Sequence, residues 1–182
     1  MRRILNFVGF YIGWFACVVG AARGMPVVGP LVVATVLALH LVLSPQPQRD
    51  ARLILAVGVL GFAVDTLQAA LGVFTFSVGA LAPWVSPPWL VSIWMLFAST
   101  LYLSFGWLSG RYLLAAAIGG VTGPLSYAYG ARLGAITLHP HVTLSLAALV
   151  VVWALTVPFL LWLAERMAGA PQPQGVPIAE RA

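Results

Sequence analysis

The chain has 182 residues, 62% of them hydrophobic and 7% charged, with a mean hydropathy of +1.01 and a formal net charge of +5. Globular domains carry roughly a quarter charged residues, so this composition excludes a soluble fold and points to an integral membrane protein. The positive balance comes from arginines scattered singly or in pairs between apolar runs, which excludes a nucleic-acid-binding patch and reads as a topology signal.

Six apolar spans are predicted in an all-α helix bundle, each near the roughly 20 residues that cross about 30 Å of hydrocarbon. The first runs from Ile4 to Ala22. Arg2 and Arg3 before it and Gly20-Ala21-Ala22 at its end imitate a secretory signal, but a stripe of Asn6, Gly9, Gly13, Ala16 and Gly20 gives it a packing face that a removed signal does not need. Cys17, in its middle, is the only cysteine, so no intramolecular disulfide is possible. The second span, Val27 to Leu43, is short and aliphatic, with His40 expected as a hydrogen-bonded interior residue. A polar connector, Ser44 to Arg52, is stiffened by Pro45 and Pro47.

The third span, Leu53 to Phe76, is the centre of the pattern because it holds Asp65, the one carboxylate deep inside an apolar segment. Steps of three and four place Gly58, Gly61, Asp65, Gln68 and Gly72 on one stripe that should face protein. An aspartate at mid-membrane costs about 2.5 to 3.5 kcal/mol on insertion scales, so Asp65 is either a functional group or a hydrogen-bonded anchor. An uncharged loop, Ser77 to Pro88, carries Trp84 and three prolines and is expected at the outer interface. The fourth span, Trp89 to Leu108, has the stripe Ser92, Ser99, Tyr102 and Gly106. The fifth, Tyr112 to Arg132, carries Gly119, Gly123, Ser126 and Gly130 and is interrupted by Pro124. The sixth, Val142 to Leu163, is aliphatic and is expected to kink at Pro158.

With the N-terminus inside, seven arginines are cytoplasmic and two, Arg23 and Arg132, are outside, so both termini are expected in the cytoplasm. Residues 1–166 form a single transmembrane domain, and 167–182, rich in Pro, Gly and Gln, are expected to be a disordered tail. The first, third, fourth and fifth spans, which carry the stripes, are expected to form an inner four-helix core with the second and sixth peripheral. Gly9, Gly13, Gly58, Gly61, Gly119 and Gly123 are expected to be helix-packing positions, the ordinary use of small residues between membrane helices.

The fifth span meets Asp65. Pro124 cannot donate to the helical ladder, and at 1.5 Å per residue Pro124 and Asp65 both lie about 18 Å from the cytoplasmic end. Tyr127, Ser126, Thr100 and Ser99 can place hydroxyls in that layer, and broken helices at mid-membrane are where many transporters bind substrate. The candidate substrate or ion site is therefore Asp65, Gln68, Thr100, Ser126, Tyr127, Pro124 and Asn6. The alternative is a proline kink that shapes the bundle while Tyr127 or Ser126 bonds Asp65. Val28-Gly29-Pro30-Leu31 echoes Thr122-Gly123-Pro124-Leu125, but the first opens its span and the second is central, so an inverted repeat is weakly supported.

No catalytic constellation emerges. An aspartyl protease needs a second membrane-embedded carboxylate, and Asp50, Glu165 and Glu180 belong to cytoplasmic segments. His139 and His141 lack further ligands nearby, so no metal and no cofactor is expected. Ser126 lacks the glycine-flanked turn of a hydrolase nucleophile. Arg23 or Arg132 can snorkel toward Asp65.

NFVGFYIGWFACVVGAA at the start, VDTLQAALGVF around Asp65, WLVSIWMLFASTLYLSFGWL in the fourth span and GPLSYAYGARLGA in the fifth together resemble a family of small bacterial inner-membrane proteins catalogued only as a domain of unknown function. The likeness covers nearly the whole chain apart from the tail. It implies a bacterial, multi-pass inner-membrane protein and supplies no substrate or catalytic residue. Such proteins are often encoded near enzymes that modify fatty acyl chains, which implies a lipid-linked role.

The expected function is a small transporter or channel-like permease with a midplane site at Asp65. The alternative is a non-catalytic accessory protein of membrane-lipid modification that packs against a partner; an enzyme is the least supported. The expected partners are the lipid bilayer, a small-molecule or lipid ligand, and a second copy or partner membrane protein. Transport predicts a wet path to Asp65, an accessory role a dry and fully bonded carboxylate, and an enzyme another titratable group beside it.

Overall fold

The computed structural model describes residues 2–168 and is built from six α-helices with one short two-stranded ribbon. The helices are α1 (Arg2–Ala22), α2 (Val28–Leu43), α3 (Pro47–Ala70), α4 (Pro88–Leu101), α5 (Tyr112–Leu133) and α6 (Val142–Ala168). Strands β1 (Phe74–Phe76) and β2 (Ile136–Leu138) follow α3 and α5. Helices α1, α3 and α6 are long and apolar enough to cross a membrane, while α2 and α4 are apolar but shorter. The expected disordered tail lies outside the described residues except for Met167 and Ala168, which end α6.

Three span boundaries shift by six or more residues from the hydropathy reading, each for a local reason. Helix α3 begins at Pro47, whose fixed φ suits the first helical position, with Asp50 in its first turn where the macrodipole favours a carboxylate. It ends before Phe76 because Gly72 adopts φ +76° and its neighbours form a paired cap: Gly72 N–H donates to Ala69 O at 3.0 Å and Val73 N–H to Gln68 O at 3.0 Å. Helix α4 stops at Leu101. The N–H groups of Ser104 and Phe105 both turn back to the Thr100 carbonyl, and a 3₁₀ turn at Gly106–Leu108 follows. Helix α5, by contrast, runs unbroken through Pro124, and α6 through Pro158.

The ribbon fixes the relative depth of α3 and α5. Helix α5 ends on the same device as α3, with Gly134 at φ +89° and Ala135 N–H donating to Gly130 O at 3.0 Å. The strands then pair antiparallel, Phe74 opposite Leu138, Thr75 opposite Thr137 and Phe76 opposite Ile136. Asp65 and Tyr127 each stand about two turns, ~10 Å, before their capping glycines and so arrive at one level.

Packing departs from the expected inner and outer helices. Helix α4 touches α1, α2, α3 and α6, and α5 packs most extensively along α6, whereas α1 and α5 meet sparingly. The sixth helix is thus not peripheral: Leu149, Val157, Leu160, Leu161 and Ala164 are buried. The reason is the glycine stripe of α5. A Cβ at Gly123 would overlap the Trp153 ring, and one at Gly119 would lie 2.7 Å from Val157 Cγ2. Gly61 receives the Trp94 ring in the same way, Gly58 meets Met95, Gly13 meets Leu96, and Gly9 faces Val36. These contacts let backbones approach closely, which is how helices associate where lipid removes the hydrophobic drive.

Candidate functional site

Asp65 is fully buried, and three uncharged donors from three helices converge on it. The Tyr127 hydroxyl donates to Oδ1 at 2.6 Å, the Trp94 indole N–H to Oδ2 at 2.6 Å, and the Gln68 amide to Oδ1 at 3.4 Å. Both carboxyl oxygens of Asp65 are therefore engaged by side chains that neighbouring helices bring to them, as a buried polar group requires. Among the described residues the ion pairs are His40 with Asp50 (3.3 Å) and Arg49 with Asp50 (2.9 Å), so neither Arg23 nor Arg132 neutralises Asp65. Tyr127 is a titratable neighbour of the kind an enzyme would need, and the carboxylate it bonds is fully buried.

In front of this triad lies a cavity of about 540 Å³ bounded by α1, α4, α5 and Trp153 of α6. Trp94 and Tyr127 belong both to its wall and to the Asp65 cluster, so the carboxylate stands one side chain behind the cavity surface. Trp153 stacks on Trp94 with ring centroids 4.9 Å apart and planes 15° apart, and its buried indole N–H has no hydrogen-bond partner. The cavity occupies the gap left where α1 and α5 scarcely touch.

The sequence-predicted residues divide by location. Asp65, Gln68 and Tyr127 are brought together. Ser126 and Thr100 line the cavity; Ser126 Oγ accepts from the Trp14 indole at 3.1 Å, and Thr100 donates to Phe97 O at 2.6 Å. Pro124 is buried within α5 and is not a lining residue. Asn6 belongs to another cluster, donating to Ser99 O at 3.2 Å and accepting from Ser104 Oγ at 2.8 Å, which ties α1 to the end of α4. Trp94, Trp14 and Trp153 are the members that sequence reasoning missed. A tryptophan in an apolar span breaks no pattern, and the only available signal was that a large ring must fill the space over Gly61 or Gly123.

No group of three or more His, Cys, Asp or Glu that could hold a metal occurs among the described residues. His40 joins Asp50, which also accepts from Ser44 Oγ at 2.6 Å, while the Arg49 guanidinium lies 3.9 Å over the Tyr102 ring. This polar knot joins the end of α2 to the start of α3.

The fold and site describe an all-helical protein with apolar helices of membrane-crossing length and a buried carboxylate behind an aromatic cavity. Residues 3–159 match the family described as "Protein of unknown function (DUF2878)", and the chain belongs to that family. No curated protein and no solved structure matches the chain.

Proposed function

We propose that the chain is a multi-pass protein of the bacterial inner membrane, with six crossings and both termini in the cytoplasm, that binds a small-molecule or lipid ligand as a small transporter or permease. Six crossings are supported by the arginine distribution and by α5, whose low hydropathy comes from glycines that α6 covers. The observation that carries the ligand reading is the cavity of about 540 Å³, within the range of small-molecule sites and walled mostly by apolar and aromatic side chains. In this reading Tyr127, Ser126 and Thr100 meet the ligand, while Asp65 and Gln68 hold the wall from behind. The accessory reading draws support from the same carboxylate, since a covered and fully bonded Asp65 is what a structural anchor requires.

The test is saturable binding of 1-aminoanthracene, a neutral fluorescent probe, to protein in lipid nanodiscs. Thr122 lines the cavity and is exposed, so Thr122→Phe should narrow it and weaken saturable binding while leaving the melting temperature unchanged. A probe signal identical in the variant, or no signal above empty nanodiscs, would refute a ligand cavity and leave the accessory reading.

A further inference from the structure

The cavity wall holds two hydrogen-bond donors that the protein itself leaves unused, and from them we propose that its ligand is a neutral lipophilic molecule carrying an acceptor oxygen, such as a ketone or an ester, bound by the Ser126 hydroxyl. This rests on the ligand-cavity reading and adds the chemistry of the occupant. No Asp, Glu, His or Arg lines the cavity, so an occupant of either charge would meet no opposite charge at the wall. Most lining groups with a hydrogen to give have already placed it. Thr100 donates to Phe97 O, Thr122 to Ile118 O and Trp89 to Val78 O, while Trp94 and Tyr127 donate to Asp65.

Ser126 differs from these. Its Oγ accepts from the Trp14 indole at 3.1 Å, and its own hydrogen has no acceptor among the described residues. Accepting that bond polarises the hydroxyl and strengthens it as a donor. The second unused donor is the buried indole N–H of Trp153, whose ring lies against Gly123, one helical turn from Ser126. Tyr11 and Tyr129, by contrast, stand at the exposed rim. An acceptor with a spare lone pair is tolerated in folded proteins, whereas a donor left without an acceptor is rare, so the wall calls for an acceptor in the ligand. Its oxygen would face Ser126 on α5, and its apolar body would lie against the rings supplied by α1 and α4, among them Phe10 and Phe97.

The experiment compares 2-acetylnaphthalene with 2-isopropenylnaphthalene, in which a methylene group replaces the ketone oxygen. Each is used to displace 1-aminoanthracene from full-length protein in phosphatidylcholine nanodiscs, with concentrations corrected for partitioning into empty nanodiscs. The ketone is expected to bind about fivefold tighter than the hydrocarbon, the worth of one neutral hydrogen bond. Ser126→Ala alone would free the Trp14 indole to take over as donor, so the test variant is Trp14→Phe with Ser126→Ala, which removes both partners together. In it the ratio should fall about threefold, whereas Ser126→Thr, which keeps the hydroxyl, should retain it. Equal or tighter binding of the hydrocarbon to wild type, or an undiminished ratio in the double variant, would overturn the assignment while the cavity reading stands. Failure of 1-aminoanthracene to saturate would remove the cavity reading and this inference with it. If the double variant does not fold, the wild-type ratio decides by itself.

Discussion

Asp65→Asn is nearly isosteric, so it tests the hydrogen bonds without disturbing the packing. The amide has one acceptor oxygen where the carboxylate has two. Turned toward Trp94, it leaves the Tyr127 hydroxyl and the Gln68 amide facing an NH₂ group; turned the other way, it sets that group against the indole N–H, which sits 2.6 Å from Oδ2 in the wild type. Either way at least one buried donor loses its acceptor, which costs about 1–3 kcal/mol. Gln68 Oε1, buried and without a partner, can accept from the new NH₂ and recover part of this. The net loss is about 1–3 kcal/mol, or roughly 2–12 °C in Tm for a chain of this size. Cys17, fully buried and the only cysteine, makes the assay simple: a thiol-reactive fluorophore reports unfolding on heating in detergent. Trp94→Phe and the double variant complete the cycle, with a coupling of about 1–2 kcal/mol expected for residues that bond directly. An unchanged or raised Tm, or additivity within ~0.5 kcal/mol, would refute the view of Asp65 as the anchor of the wall.

The glycines make a paired prediction with opposite signs. Gly61→Ala should lower Tm, because the new Cβ overlaps the Trp94 ring and overpacking costs about 1–3 kcal/mol against a helix-propensity gain of ~1 kcal/mol. Gly120→Ala meets only an ordinary contact, 3.4 Å from Ala154 Cβ, and should be neutral or stabilising in the same thermal assay; equal effects at the two positions would contradict the packing described. Asp50→Ala should cost about 1–3 kcal/mol, since it strands Ser44, His40 and Arg49 at the junction of α2 and α3. Faster proteolysis of the Ser44–Gln46 turn is the accompanying readout, and protection equal to wild type would show that the knot is not structural.

What the sequence made legible is what insertion into lipid makes costly. A carboxylate in an apolar run had to be satisfied, so Asp65 could be named as the centre and Tyr127 weighed as its partner from depth alone. The tryptophans carry no such penalty in lipid, and their placement depends on which glycine lies opposite in three dimensions. Gly72 shows the same limit from another side. It falls on the stripe of Asp65 by spacing, yet its positive φ ends the helix, and nothing in the period distinguishes a glycine that packs from one that caps. The strands after Gly72 and Gly134 are three residues each, too short for an alternation to be read, although they set Asp65 level with Tyr127.

The misplacement of α6 has a physical reason that bears on the site. An aliphatic helix reads as lipid-facing because its hydropathy is the same whether it meets lipid or a glycine stripe. Here the stripe is on α5, and its grooves are filled by Trp153 and Val157. Packing α6 there turns Trp153 onto Trp94, and Trp94 onto both Gly61 and Asp65. Gly123, Trp153, Trp94 and Gly61 therefore form one continuous stack from α5 to α3. The carboxylate fixes the indole in the middle of that stack, while the two glycines give the rings their room. Removing either kind of support should loosen the same wall, so variants at Gly61, Gly123 and Asp65 are expected to be non-additive in stability.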